Sequence, residues 1–491
     1  MIALAACVLV FARTMDRSLN HDEHQFLAPA ALLAREGLEP WRDYQLFHLP
    51  NLILAYAAAD RLTGDLVFGA KLVSFAATAF VICLVVWLAM RGDPRRGVLI
   101  GGAAVLVLLG DPLFLFTAGK TWNHEVPTAL LIAAGASLVL ASGRDRLWQT
   151  ACAGVLAGLA TGCRLTFAPM LIGLFVFVLL FPVPWRRRFM HAGVLTIAAT
   201  IALGPSLYFL ATQTEAFIFG NLEFPRLRLT DPTDTRVQKT VSLWRKLRFF
   251  FKEIMLPSWP VFLPWLAFAI RPGWQWLRTR RFDQAAAGLS LVLFPFVLAG
   301  CFSPARYQKQ HFFVFVPLLM VTVLAILMSQ YVRHKILTNL LIGGLALISI
   351  VRGWAEYVVI ENLAQPQEWF TSRLARAGSE IRAHAPGGQI LTLAPALPLA
   401  GGLSIYREFA TGAFAWRSAR FVPAERRRQL HMIAPDDLDE FLRARPPAAV
   451  LTGVEEADEE APLIAWARRN NFSPKPLKKG RVLWLPDTRV R

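Results

Sequence analysis

The chain has 491 residues, of which 55% are hydrophobic, including 35 Phe and 15 Trp. This length and composition exclude one ordinary soluble domain and indicate a polytopic membrane protein. The formal net charge of +18 does not indicate nucleic-acid binding, because Arg and Lys gather in short clusters between apolar runs.

Eleven apolar segments are predicted to cross the membrane. The first ends near residue 15, and the others lie at about 66–90, 97–118, 124–141, 149–163, 167–183, 189–211, 254–270, 285–303, 311–330 and 336–351. A helix needs about 20 residues to cross the apolar core of a bilayer. The short runs at 124–141, 149–163 and 336–351 are therefore also compatible with tilted, interfacial or re-entrant helices.

Basic residues set the orientation of these segments. Five short loops carry clusters of Arg or Lys: Arg91 with Arg95 and Arg96, Arg144 with Arg146, Arg186–Arg188, Arg271 with Arg278–Arg281, and Arg333 with Lys335. Counting the spans places all five on one side, and positive short loops mark the cytoplasm. We therefore expect an integral protein of the cytoplasmic membrane with residues 14–65, 119–123, 164–166, 212–253, 304–310 and 352–491 on the opposite, extracytoplasmic side.

The first extracytoplasmic segment, residues 14–65, is predicted to be a large polar loop. It contains the run Asn20-His21-Asp22-Glu23-His24-Gln25 and ends its polar part with Phe47-His48-Leu49-Pro50. An Asp-x-x-Gln spacing is also typical of a capping box, so Asp22 with Gln25 is an alternative, purely structural interpretation.

Further polar clusters are predicted on the same side. They are Lys120 to Glu125, Arg164, and the run from Arg306 to His311. In the segment 212–253, basic residues alternate with Leu, Trp and Phe between Lys239 and Lys252, which predicts an amphipathic helix lying on the membrane surface in preference to a solvated basic loop.

Residues 352–491 are predicted to form a small extracytoplasmic α/β domain, separate from a transmembrane domain that covers residues 1–351. Helical spacing begins at Trp369, a second helix is expected at about 435–444, and short buried strands are expected at 389–393, 448–451 and 481–485. The five Cys residues lie in or beside apolar segments, so neither a disulfide framework nor a CxxC metal site is encoded.

This organisation resembles the GT-C glycosyltransferases, and within them the protein-mannosyltransferase and aminoarabinose-transferase-like group. The resemblance covers about residues 14–330. It rests on Asp22-Glu23 after the first span, Phe47-His48-Leu49-Pro50, the patch from Asn123 to Pro127, and the patch from Arg306 to Pro317. The resemblance implies a GT-C-like helical bundle and a sugar donor carried on polyprenyl phosphate.

Such a transfer needs a carboxylate that accepts the proton of the acceptor hydroxyl, and Asp22, Glu23 and Glu125 are the candidates. A cap and a helix-dipole interaction are the alternative roles for Asn123 and Glu125. Asp22, Glu23, His124 and Glu125 are also candidates to share a divalent ion, Mg²⁺ or Mn²⁺, as in some relatives. The spacing fixes no metal ligands, so the metal requirement stays open.

Transfer also requires cations or donors that stabilise the phosphate leaving group. The candidates for binding the substrate are His21, His24, His48, Lys71, Lys120, Asn123, His124, Arg164, Arg306, Tyr307, Lys309 and His311. The alternatives are loop hydrogen bonds for the histidines, and contacts with lipid headgroups for the cations at span ends. Lys71 lies inside the second span, where an ionisable residue is a functional candidate.

The sequence therefore predicts a membrane glycosyltransferase that moves a hexose or pentose from a polyprenyl-phosphate donor to a hydroxyl of a glycan, lipid or protein acceptor in cell-envelope assembly, with inversion. The alternatives are a transporter or flippase and a non-catalytic scaffold. Against a transporter, the spans carry few ionisable residues near their middles and no inverted repeat is visible.

The orientation is tested by single cysteines in a Cys-free variant. Ser18→Cys, Thr233→Cys and Ser372→Cys should react with a membrane-impermeant thiol reagent in intact cells, because their segments are expected to be extracytoplasmic. Ser142→Cys and Gln275→Cys should react only after the membrane is opened. Labelling of Ser142→Cys but not of Ser18→Cys in intact cells would show that the orientation is opposite to the predicted one.

Overall fold

The fold is described from a computed structural model, which covers all residues except 93, 143–144, 228–241, 280–281, 283, 305–306, 331–334, 386 and 488–491. Up to residue 353 its helices are α1 (Ile2–Asp16), α2 (His21–Ala31), α3 (Asn51–Thr63), α4 (Leu66–Gly92), α5 (Pro94–Leu109), α6 (Pro112–Thr117), α7 (Glu125–Ser142), α8 (Leu147–Cys163), α9 (Ala168–Leu179), α10 (Trp185–Ala202), α11 (Gly204–Thr212), α12 (Thr214–Ile218), α13 (Phe224–Leu227), α14 (Leu243–Phe249), α15 (Trp259–Thr279), α16 (Ala285–Phe302), α17 (Phe315–Gln330) and α18 (Lys335–Gly353).

Every predicted span coincides with one of these helices or with a consecutive pair, but their lengths differ. Within the described residues, five helices are long and apolar enough to cross a membrane, or seven if each of two bent pairs is one span. Gly97–Leu109, Leu147–Cys163 and Leu165–Leu179 are apolar but shorter. The helical membrane fold is therefore observed, whereas the number of eleven spans stays a prediction.

Proline and glycine account for the two bends. α10 and α11 meet at 59°, where Gly204 and Pro205 follow the end of α10. The helix that ends at Met255 and α15 meet at 108°, and Pro257 lies in the break. Because proline lacks an N–H and its ring clashes with the preceding turn, the helical hydrogen bonds are interrupted at these points.

Residues 14–65 are not the open loop that their polarity predicted. They form α2, a short π-helical turn at Leu32–Glu36, and α3, and much of their surface is buried. Trp41, Tyr44 and Tyr56 are fully buried and belong to a core that also includes residues of the C-terminal region. The burial of these aromatic rings explains why the segment is ordered despite its polar stretches.

The amphipathic helix predicted for the end of segment 212–253 is present as α14 and the π-helical turn Phe250–Met255. Leu243, Trp244 and Phe251 are exposed, whereas Phe250 is buried against the bundle. Contact of the exposed residues with lipid stays a prediction, and residues 228–241 of this segment lie outside the described residues.

The C-terminal region contains one mixed sheet flanked by helices. The helices are α19 (Phe370–His384), α20 (Ala396–Ala400), α21 (Ala413–Ala419), α22 (Ala424–Gln429), α23 (Leu438–Ala444) and α24 (Ala457–Arg469), and the strands are β1 (Gln389–Leu391), β2 (Ser404–Ile405), β3 (Ala449–Thr452), β4 (Phe472–Pro476) and β5 (Val482–Pro486). The strand order is β2-β1-β3-β5-β4, with β1 parallel to β2 and β3, and β5 antiparallel to β3 and β4.

The predicted helices at 369–381 and 435–444 and the three predicted strands match α19, α23, β1, β3 and β5. The strands β2 and β4 and the helices α20, α21, α22 and α24 were not predicted from the sequence. β4 is an edge strand that contains Pro474, Lys475 and Pro476 and is mostly exposed, so it lacks the apolar pattern of a buried strand.

Ion pairs and hydrogen bonds join this region to the bundle. Arg426 binds Glu223 through two hydrogen bonds of 2.8 and 3.1 Å, and its Nε donates to Glu215 at 3.1 Å. Arg35 binds the buried Asp60 and donates to the backbone oxygen of Leu399 at 2.8 Å. The C-terminal region therefore packs on the same end of the bundle as α2, α3 and α12.

Close packing of α8 on α10 depends on glycine. A Cβ atom on Gly158 would lie 2.4 Å from the backbone oxygen of Ala199, whereas a Cβ atom on Gly193 of α10 would meet nothing within 4 Å. Small residues at helix interfaces let membrane helices approach closely.

Gly158→Ala is therefore expected to destabilise the fold by about 1–3 kcal/mol, the usual effect of overpacking, and to lower the midpoint of thermal unfolding in detergent. Gly193→Ala is the matched control and should leave the midpoint unchanged or slightly raised, because alanine favours helix over glycine. Equal midpoints for Gly158→Ala and the wild type would contradict this packing.

Candidate active site

A cavity of about 660 Å³, here called the central cavity, lies where the predicted extracytoplasmic segments meet. Its wall comes from α2, from residues 47–49, 122–124, 164–166, 168–169, 221–222, 224–226, 303–304, 308 and 310–311, and from Phe414 of the C-terminal region. Segments that are far apart in sequence thus enclose one space. Of the predicted site residues, the cavity brings together Asp22, His48, Asn123, His124, Arg164 and His311.

Asp22 reaches the cavity because of the way α2 begins. Asn20 is the N-cap, and its side-chain oxygen accepts the N–H of Asp22 at 2.7 Å. Glu23 completes the capping box by accepting the N–H of Asn20 at 2.7 Å. The structural alternative, a capping box of Asp22 with Gln25, is therefore wrong, because the actual pair is Asn20 and Glu23, and Asp22 is left to line the cavity.

Glu23 does not line the central cavity. Its side chain is fully buried, and its second oxygen accepts from the backbone N–H of Thr121 at 2.7 Å and from the Thr121 hydroxyl at 2.8 Å. This carboxylate therefore joins the start of α2 to the turn before α7. The expectation that Asp22 and Glu23 act as a chemical pair is not supported by this placement.

Glu125 also lies outside the lining of the cavity. It is the first residue of α7, and its Oε1 accepts from the N–H of Gly119 at 2.9 Å and from the Thr78 hydroxyl at 2.8 Å. Gly119 has a φ of 85°, a conformation that favours glycine. Glu125 therefore fixes the turn that carries Asn123 and His124 into the cavity.

Arg164 is the centre of a polar network in the cavity wall. It stands in extended conformation between α8 and the next helical turn, and its Nη1 lies 3.2 Å from Asn123 Oδ1 and 2.9 Å from His124 Nε2. The amide of Asn123 lies 3.3 Å from His48 Nδ1, and His48 Nε2 lies 2.9 Å from Gln25 Oε1. The network thus connects Arg164 with three other segments, those of Asn123 with His124, of His48 and of Gln25.

The positive charge of this network lies on the guanidinium of Arg164 and not on the ring of His124. Burial lowers the pKa of Arg164 to about 10, which leaves it charged at neutral pH. Burial, followed by the nearby Arg164 cation, lowers the pKa of His124 well below its usual value, so this ring is neutral and accepts a hydrogen bond. His311 lies beside it, with the ring centroids 5.9 Å apart.

Lys120 lies behind the cavity wall. Its Nζ is 3.7 Å from the ring centre of Trp122 and 4.5 Å from that of Phe116, and Trp122 lines the cavity. Burial lowers the pKa of Lys120 to about 8. The ammonium is therefore held by aromatic rings.

The remaining predicted binding residues lie elsewhere. His21 stacks on Phe414 with ring centroids 6.0 Å apart, and its hydrogen bond to Asp22 raises the pKa of its ring. His24 is buried on another face of α2 and lines a different cavity. Lys71 is fully buried and donates to the backbone oxygens of Thr14 and Arg17 at 2.6 and 2.7 Å, which satisfies the end of α1.

Tyr307 packs edge-on against Phe249 with ring centroids 4.7 Å apart, and Lys309 forms an exposed ion pair of 2.7 Å with Glu253. Neither lines the central cavity. Arg306 lies outside the described residues.

Several residues that line the cavity were not among the predicted site residues, namely Gln25, Trp122, Arg226, Gln308, Gln310 and Phe414. Gln308 and Gln310 stand between residues that were singled out, and Arg226 follows Pro225 in a predicted extracytoplasmic segment. The sequence around these three residues therefore gave a reason to include them among the site residues. It gave no such reason for Phe414, because nothing in the sequence indicates that α21 reaches the bundle.

Apolar side chains form much of the cavity wall. Phe26, Phe47, Leu49, Leu165, Leu222 and Phe224 contribute, and the rings of Phe47 and Phe224 stack with centroids 3.7 Å apart. Among its described lining residues, the cavity thus joins an apolar groove to one carboxylate, Asp22, and two guanidinium groups, Arg164 and Arg226, which is a combination suited to binding an amphiphilic anion.

The residues predicted to share a divalent ion do not fit one. Both oxygens of Glu23 and Oε1 of Glu125 already accept hydrogen bonds from N–H and O–H donors, and only Asp22 and His124 of the four line the cavity. No group of three or more His, Cys, Asp or Glu that could hold a metal ion occurs in the described part of the chain.

The sequence matches no protein-family profile. No curated protein matches it by sequence either.

Solved structures with a similar fold do exist. ArnT from Cupriavidus metallidurans bound to undecaprenyl phosphate aligns with a TM-score of 0.64 at 14% identity, covering 98% of this chain and 97% of ArnT. The archaeal oligosaccharyltransferase AglB from Archaeoglobus fulgidus, in complex with an inhibitory peptide and a dolichol-phosphate, aligns with a TM-score of 0.51 at 11% identity, covering 99% of this chain and 74% of AglB. Both are GT-C glycosyltransferases. The resemblance stated from the sequence is thus confirmed at the level of structure: the chain has the GT-C fold.

Proposed function

We propose that the chain is a membrane glycosyltransferase that moves a sugar from a polyprenyl-phosphate donor to an acceptor hydroxyl. The observation that carries the proposal is that Asp22 and Arg164 line one cavity with apolar walls, in a chain with the GT-C fold. A base and a fixed cation in one partly apolar space match the chemistry of displacing a lipid phosphate.

In the proposed reaction the acceptor oxygen attacks the anomeric carbon of the donor on the side opposite the phosphate. The bond between that carbon and the phosphate oxygen breaks, and the phosphate leaves with the electron pair. Asp22 accepts the proton of the acceptor hydroxyl, and Arg164 stabilises the charge that develops on the phosphate. A single displacement of this kind inverts the anomeric configuration.

The apolar walls suit the isoprenoid chain of the donor. Phe47 and Phe224 stack across two segments, and Leu165 and Leu222 are exposed nearby. Burying each CH₂ group of an isoprenoid contributes roughly 0.8 kcal/mol, so such a wall binds the lipid without using polar groups. The polar network is then reserved for the phosphate and the sugar.

Glu23 and Glu125 are assigned positioning roles in this proposal. Each carboxylate accepts hydrogen bonds that fix the turn between α6 and α7, which carries Asn123 and His124. Lys71 and Lys120 are also assigned positioning roles, because Lys71 binds the end of α1 and Lys120 packs on Trp122, which lines the cavity. None of the four lines the cavity.

The reaction is proposed to occur on the extracytoplasmic side, because the five basic loops mark the opposite side as cytoplasmic. Nucleotide sugars are held in the cytoplasm, so the donor is expected to reach the cavity through the membrane, on its lipid carrier. The acceptor is a hydroxyl-bearing glycan, lipid or protein.

Asp22→Asn should abolish sugar transfer in liposomes supplied with polyprenyl-phosphate-linked sugars from the native membrane, without nucleotide sugar, ATP or an ion gradient. Asn keeps the shape of the side chain but cannot accept the proton, so the rate should fall by roughly 10²–10⁴-fold while protein abundance stays normal.

Asp65→Asn is the matched control, because Asp65 caps α4 through Oδ1 and Asn caps equally well. It should retain the wild-type rate. Full activity of Asp22→Asn would remove Asp22 as the base. Movement of an unchanged solute across sealed vesicles, without a new glycosidic bond, would instead favour the transporter.

Arg164→Gln should reduce the transfer rate by about 10²-fold or more, the scale for losing one electrostatic donor to a developing charge. Arg164→Lys should fall between this variant and the wild type, because Lys keeps the charge but loses the planar arrangement of donors. Arg428→Gln, at an exposed position, should be neutral. A wild-type rate for Arg164→Gln would show that other groups bind the leaving phosphate.

A further inference from the structure

A second cavity, here called the basic cleft, lies between the C-terminal region and the bundle. It has a volume of about 810 Å³. Both cavities use α2 as a wall: Asp22 lines the central cavity, whereas His24 lines the basic cleft. The basic cleft is therefore a separate space and not an extension of the proposed transfer site.

The lining of the basic cleft is strongly cationic. Arg373, Arg376, Lys478, Lys479 and Arg481 line it, and Glu380 is the acid among the described lining residues. Asp16 lies 3.4 Å from Arg373 and offsets part of one charge. A large positive surplus therefore remains in a concave space, where it raises the local potential for anions.

Two buried nitrogen atoms at the cleft have no hydrogen-bond partner within the described part of the chain, namely Nδ1 of His24 and Nε of Arg373. The His24 residue is only 6% exposed. A buried donor without a partner is costly, so such atoms indicate where a ligand oxygen would be stabilising. The Arg373 nitrogen can only donate, and a neutral His24 donates from Nδ1 in one tautomer.

The cleft adjoins the ends of membrane helices. Trp369, next to the lining residue Phe370, contacts Phe11 of α1 and Phe68 of α4, with ring centroids 5.4 and 6.4 Å apart. The cleft therefore adjoins α1 and α4 of the bundle, and it also faces the C-terminal region.

We propose that the basic cleft is a second binding site, for a phosphate monoester. A phosphate monoester carries about −1.5 to −2 charges at neutral pH and three strong acceptor oxygens, whereas a carboxylate carries one charge and two oxygens. The excess of positive charge in the cleft and its donors without partners match the phosphate monoester better than the carboxylate. The same chemistry is offered by a lipid headgroup and by a soluble phosphate ester, and the site accepts the group from either source that reaches it.

Isothermal titration of the full chain in neutral detergent tests this site with two probes, dihexanoyl phosphatidic acid and glycerol 3-phosphate. Dihexanoyl phosphatidylcholine, which has no net charge, is the control ligand. Wild-type protein should bind phosphatidic acid and not phosphatidylcholine. Additional binding of glycerol 3-phosphate would show that a soluble ester suffices, and its absence would assign the ligand to the membrane.

Arg376→Gln with Lys478→Gln should weaken binding by about tenfold or more, since each loses a charge-assisted hydrogen bond, and Arg376→Glu with Lys478→Glu should abolish it. The double variant with Gln tests the site even if the charge reversal in the double variant with Glu disturbs folding. Arg428→Glu with Arg443→Glu, two exposed positions of the C-terminal region, is the control of equal charge change and should bind like the wild type.

Arg164→Gln separates this site from the central cavity and should leave the binding unchanged. Loss of binding in Arg164→Gln would show that the probe occupies the central cavity, and the proposal for the basic cleft would be wrong. Equal affinity in the wild type and both cleft variants, or no binding of either probe to the wild type, would also overturn it. Transfer activity does not enter the measurement, so the result is independent of the proposed function.

Discussion

The hydrogen bonds of Glu23 are the constraint on which the arrangement of the central cavity depends. Removing a carboxylate from water is costly unless its oxygens are satisfied, and Glu23 is fully buried. It is satisfied by the first turn of α2 and by Thr121, two segments about a hundred residues apart in the chain. These hydrogen bonds fix the start of α2, which carries Asp22, against the turn that carries Asn123 and His124.

Two neighbouring acids on a helix point in directions about 100° apart, since an α-helix has 3.6 residues per turn. Asp22 and Glu23 therefore separate into one side chain that faces the central cavity and one that faces the protein interior. The doublet works as a unit in a structural sense: the buried acid fixes the helix, and the cavity-lining acid is presented by it. A similar division holds at the start of α7, where Glu125 fixes the turn and His124 lines the cavity.

The sequence predicted the helical bundle and the grouping of polar segments because both depend on local composition: apolar runs mark helices, and basic clusters mark their ends. Six of the predicted site residues line one cavity because they lie in polar segments at the same ends of the helices. Lys71 and Glu23 were placed in the site because their charge is visible in the sequence, whereas their partners, backbone carbonyls and a distant Thr121, are not. The place of Phe414 in the cavity wall depends on how the C-terminal region packs on the bundle, which no local pattern encodes.

The three hydrogen bonds of Arg426 to Glu215 and Glu223, together with Phe414 in the cavity wall, make the C-terminal region part of the central cavity. A ligand that fills the cavity touches both the bundle and this region, so its binding free energy also opposes their separation. Occupancy of the cavity and association of the C-terminal region with the bundle are thus thermodynamically linked, and a change that favours separation of the two parts lowers the affinity for the ligand. A ligand bound in the central cavity would therefore help to hold the C-terminal region on the bundle.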